Sequence, residues 1–162
     1  MFRKGFAGSA LAATLLSVGM PAFAGWGFNG APFPNAFIQA GDMTLELACD
    51  RMRFAPAGFE DARDIERKQG LSIRFKKGEA RESGAFQLGQ DNADIRIVEN
   101  FPVEIVFQEK SDYDFVLDQI GENAVLNLAM IDGDVSYGIF DLEGSGAAIA
   151  SLRAACGRGA AG

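Results

Sequence analysis

Asp112 and Asp114, and Asp132 and Asp134, stand two residues apart in the chain. Paired carboxyl groups are what glycoside hydrolysis needs, one as acid and one as base or nucleophile. With 22 acids among 162 residues, however, such spacings arise from composition alone. The chain has no histidine. That removes the usual general base near neutral pH and the commonest metal ligand, and it excludes Ser–His–Asp and Cys–His nucleophilic sites. Asp132-Gly133-Asp134 has the oxygen ligands of a calcium loop but not its length or its closing glutamate, so it reads as a turn. Asp91, Asn92 and Asp94 form a second oxygen-rich stretch that is no more specific. Gly144-Ser145-Gly146 precedes a helical pattern but lacks the Gly-Lys-Ser/Thr of a phosphate loop. The expectation is a protein without catalytic residues, a metal or a cofactor.

Cys49 and Cys156 are the only cysteines, so a single intramolecular pairing is available. Two distant thiols without histidine do not complete a zinc site. The first 24 residues set the redox context: Arg3 and Lys4, an apolar run through Leu11, Leu15, Leu16 and Val18, then Ala22-Phe23-Ala24. This order is that of a secretory signal peptide cleaved near Ala24-Gly25, and its apolar run is too short to span a bilayer. The expected product is periplasmic or secreted and carries a Cys49–Cys156 disulfide. It has no membrane span. Loss of Arg3 and Lys4 takes the formal charge from −7 to −9. A field of that sign argues against nucleic acid and anionic lipid as partners.

The hydrophobic pattern supplies the scaffold. Residues 25–41 form a Gly/Pro/Phe-rich N-terminal arm with no sustained period, in which Pro32 and Pro34 disfavour an interior strand. Residues 42–157 read as one domain, and 158–162 as a flexible tail. Met43, Leu45, Leu47 and Cys49 alternate toward a core, and a change of phase near Asp50 suggests a bulge or bend before Met52 and Phe54. Strands are expected at 71–77, 94–98 and 102–108, with a shorter one near 86–88. The segments 124–131 and 135–142 flank Asp132-Gly133-Asp134 as a hairpin. Helices are expected at 59–69, ending at Gly70; at 111–123, capped by Ser111 and stopped by Gly121; and at the C-terminus, with Ser145 as its N-cap. The fold class is mainly β, a largely antiparallel sandwich or partly open barrel, with two short helices and a C-terminal helix packed on the sheet.

Residues 116–157 order a short helix, a hairpin, "FDLEGS" and a small-residue helix ending in cysteine, with Gly144 and Ala148 at its turn and first helical layer. In this they resemble small exported bacterial proteins related to the invasion-associated locus B family. The resemblance implies a β-rich periplasmic or surface protein and carries over no catalytic residue. The expected function is contact with a protein partner in the envelope or at a surface. An inhibitor of an exogenous basic hydrolase such as lysozyme is the alternative, and a carboxylate-dependent hydrolase is a third reading. Candidate contact residues are the aromatics Trp26 and Phe28 of the arm, and Arg74 and Lys76 within a basic set that includes Arg51, Arg53, Lys77 and Arg81. For Trp26 and its neighbours, covering one end of the core is the competing role. A solvated face laced with Glu46 and Glu79 is the competing role for the basic set.

Overall fold

Strict alternation of apolar and polar residues lets a strand bury one face, and most strands of this chain do so against a second sheet. The structure, a computed structural model, describes residues 25–78, 81–99 and 101–159. The proposed signal peptide lies outside the described residues. The strands are β1 (Gly27–Asn29), β2 (Asn35–Ala40), β3 (Met43–Leu47), β4 (Arg51–Ala55), β5 (Leu71–Lys77), β6 (Arg81–Leu88), β7 (Ala93–Ile97), β8 (Val103–Phe107), β9 (Val125–Ala129) and β10 (Ser136–Asp141). The helices are α1 (Phe59–Lys68), α2 (Lys110–Glu122) and α3 (Ser145–Gly159). One sheet runs β1-β2-β3-β4-β8-β7 and the other β10-β9-β5-β6, with antiparallel pairing throughout. Neither closes into a barrel. The fold is a mainly β sandwich with three helices, the C-terminal one included.

Register explains the core. Ala36, Leu47, Met52, Ile105 and Ile95 lie opposite one another across five strands, and Ile38, Leu45, Phe54, Val103 and Ile97 form the next row. All but Ile97 are buried. The second sheet answers with Ile73, Phe75, Leu126, Leu128 and Phe140. Phe54 and Phe140 meet edge to face across the sandwich, 5.9 Å between ring centres. Gly138 sits at that contact: a Cβ there would come within 3.0 Å of both the Phe54 ring and the Met43 sulfur. Ala148, Ile149 and Leu152 of α3 join the same core.

Several expectations are corrected. The arm contains β2, an interior strand, because Pro32 and Pro34 precede it and leave its ladder donors intact while Ala36 and Ile38 supply the alternation. The phase change at Asp50 is a tight reversal between β3 and β4 and not a bulge. Cys49 therefore lies in an exposed turn and not on the core face. The polar stretch after Lys77 holds an eight-residue strand, β6, whose partner β5 recruits it despite its composition.

The helix ends differ too. The left-handed residue closing α1 is Gln69, with φ of 47°. Gly70 is required for another reason, since a Cβ there would lie 2.7 Å from Ile131 Cδ1. Glu109, not Ser111, occupies the N-cap position of α2, and that helix runs past Gly121 to Glu122. Phe115 of α2 is 45% exposed. Ser145 is the first residue of α3, and its hydroxyl donates to the Ile120 carbonyl, tying α3 to α2. Helix α3 extends to Gly159, into the segment expected to be a tail.

Candidate functional site

Alternation sends Glu46, Arg53, Glu104 and Arg96 to the outer face of the six-stranded sheet, directly opposite one another on β3, β4, β8 and β7. Opposite charges in such register attract across the ladder. Glu104 is the hub, 1% exposed. It accepts from Arg51 Nη1 at 3.2 Å, Arg53 Nε at 3.0 Å and Arg96 Nη2 at 2.6 Å. Burial, the largest single influence, pushes the Glu104 pKa up, but the three guanidinium groups together outweigh it and hold the pKa at about 2. Arg51 also forks onto the neighbouring Asp50, both contacts 2.8 Å, which lowers the Asp50 pKa and raises that of Arg51.

Beside this cluster lies a cleft of about 640 Å³, lined by Phe33, Pro34 and Asn35 on one side, Ala48, Cys49 and Asp50 at the turn, and Glu46, Arg51, Arg53 and Glu99. Phe33, on the connection between β1 and β2, is 81% exposed. The β3–β4 turn that forms one end is held twice from behind. Cys49 is bonded to Cys156 of α3, as the cysteine count anticipated. Tyr113 of α2, buried, donates to the Ala48 carbonyl at 2.6 Å, with the Arg51 carbonyl 2.9 Å away. Burial raises the Tyr113 pKa, which keeps its proton in place for that contact.

The disulfide also borders a second groove of about 640 Å³ between α2 and α3, floored by Leu117 and Leu152. Its four charged residues are already matched, Lys110 with Asp114 and Arg153 with Asp118. A third polar cluster centres on Asp64, which accepts from Tyr137 at 2.6 Å and pairs with Lys68 and Arg67. The Tyr137 hydrogen bond leads the causes that hold the Asp64 pKa at about 2. This cluster locks α1 to β10.

The four contact residues anticipated from sequence are not brought together. Trp26 packs against the core and its indole donates to the Asp141 carbonyl at 3.1 Å, so it covers the end of the sandwich. Phe28 is 36% exposed on the edge strand β1. Arg74 and Lys76 lie on β5 of the other sheet, where Arg74 is committed to the Gly133 carbonyl and the Ser72 hydroxyl. The basic set is thus divided between two sheets, and its Arg51 and Arg53 serve Glu104. Glu46 stands opposite Arg53, as a laced face requires; Glu79 and the Arg81 side chain lie outside the description. Of the acid pairs, Asp114 is paired with Lys110 and Asp134 approaches Arg74 at 3.8 Å.

Sequence reasoning passed over Glu104, Arg96 and Glu99, and had Phe33 only as one of the aromatic neighbours of Trp26 in the arm. Glu104 was detectable: it is the one charge between Val103 and Ile105, at the outward phase of an otherwise apolar strand, and Arg51, Arg53 and Arg96 share that phase. Phe33 and Glu99 lie in connections, where no period reports position. Comparison with protein-family models, with curated proteins and with solved structures found no match for this chain.

Proposed function

We propose that this chain is an exported, non-catalytic protein that works by contact with another protein in the periplasm or outside the cell. The observation that carries the reading is the outer-face cleft, with Phe33 standing 81% exposed at its rim beside arginines fixed in place by Glu104. Large exposed aromatics and preorganised arginines next to a concave surface are the anchors that protein interfaces use, since they add buried area at little cost in side-chain entropy. The disulfide suits an oxidising compartment and agrees with the leader-like first 24 residues. Catalysis by carboxylates finds no support in the shifted acids: Asp50, Asp64 and Glu104 all move down, away from the raised pKa of a general acid.

The test is affinity capture with residues 25–162 as bait, carried out in parallel with the wild type and Phe33→Ala, followed by titration of each purified candidate by calorimetry. A partner that binds the wild type saturably and the variant at least tenfold more weakly supports the reading. Hydrolysis of a glycan by the pure protein, abolished by a single carboxylate-to-amide substitution, would overturn it.

A further inference from the structure

The cleft lining contains two arginines and three carboxylates, and their bonding determines the charge a visitor meets. Arg51 has Nε and Nη2 on Asp50 and Nη1 on Glu104. Arg53 turns Nε and Nη2 onto Glu104, at 3.0 and 2.9 Å. Both cations are engaged with acids of this chain. Glu46 and Glu99, by contrast, make no side-chain hydrogen bond or ion pair among the described residues. Taken with Glu104 below and Arg96 beside it, the cleft sets three arginines against four carboxylates, a net charge of −1. The bonded set, three arginines on Asp50 and Glu104, carries +1, and the two open acids, Glu46 and Glu99, carry −2.

The same cleft is lined by Phe33, the most exposed of the large apolar side chains among the described residues, with Pro34 next to it. An aromatic face attracts a cation through its quadrupole, and attraction is strongest where a guanidinium lies flat on the ring while its edge reaches a carboxylate. An acidic partner would meet open acids and engaged arginines, and a purely apolar one would desolvate Glu46, whose cross-strand neighbour Arg53 is already bonded to Glu104. The negative charge of the whole chain, −7, steers cations toward it from a distance.

We propose that the cleft between Phe33 and Glu99 is a docking site for a basic protein segment, seating an arginine or lysine side chain between the Phe33 ring and the carboxylates of Glu46 and Glu99. This rests on the contact reading above and gives the partner's chemistry. The bond network on Glu104 then has a role in recognition: it holds the arginine donors on acids of this chain and leaves Glu46 and Glu99 as the carboxylates free to pair with a visitor.

The probe is an acetylated, amidated hexapeptide of alternating arginine and glycine, titrated into isotope-labelled residues 25–162 at low salt and followed by amide and aromatic shifts. Saturable shifts centred on Phe33, Glu46 and Glu99, with the glutamate–glycine hexapeptide giving none, support the site. Phe33→Ala and the double variant Glu46→Gln/Glu99→Gln should each weaken binding about fivefold or more without moving the thermal midpoint. The double variant Asp91→Asn/Asp132→Asn, which removes the same charge from two distant loops, should bind as the wild type does. Equal weakening in both double variants, or shifts centred elsewhere, would overturn the docking site. A natural partner that binds Glu46→Gln/Glu99→Gln at full strength would overturn it too, while leaving the contact reading standing.

Discussion

Glu104 shows how one buried acid organises its surroundings. Its carboxylate is surrounded by Arg51, Arg53 and Arg96, and removing the charge leaves three guanidinium groups facing one another. Because those arginines are partly exposed, water takes up some of the loss, so Glu104→Gln is expected to cost about 2 kcal/mol, read from urea unfolding. The same group sets an acid limit. Its folded pKa of about 2 lies below its ordinary value of 4.5, so the stability it contributes is complete above that value and is lost as pH falls toward 2. Asp64, also held at about 2, adds to the loss in the same window. Wild type should therefore lose more stability between pH 5 and about pH 2.5 than Glu104→Gln does, and parallel pH profiles for the two proteins would contradict this.

At the scale of elements, what was legible in the sequence was whatever depends on period. The alternating strands 43–47, 71–77 and 103–107 and the helix at 59–68 follow from side-chain phase, which is a local property. Residues 35–40 were less legible because Pro32 and Pro34 stand just before a short alternation, and 81–88 because their strand character comes from the partner β5. Of the site, the outward arginines and Glu46 were legible. Its other acids and its aromatic rim come together through β8 and through connections, which no local window contains. Two elements can be probed directly. Gly138→Ala should push β10 from the Phe54 ring and cost about 1–3 kcal/mol, visible as a lowered thermal midpoint and altered near-ultraviolet dichroism. Tyr113→Phe removes the donor that holds the β3–β4 turn to α2 and should cost about 1 kcal/mol in urea unfolding, with the disulfide intact.

For the whole molecule, the disulfide joins points 107 residues apart and so closes a loop that holds β4 to β10, seven of the ten described strands, in the unfolded state. The chain-entropy model gives about 4–5 kcal/mol for a loop of this length, comparable to the net stability of many small domains. Cys156→Ser should lower the thermal midpoint by about 10 °C or more, and denatured, unreduced wild type should show no thiol to a maleimide label; two labelled thiols would contradict the staple. Helix α1 has a separate consequence at this scale. Glu66 accepts from the Ile97 amide at 2.9 Å, and Gln69 donates to the Ile95 carbonyl at the same distance. Both groups belong to the outer rim of β7, so α1 already occupies one carbonyl and one amide of that border of the six-stranded sheet, whose other border is β1. A strand from a second molecule adding at β7 would have to displace both side chains, so two residues of a ten-residue helix guard that edge against pairing between molecules.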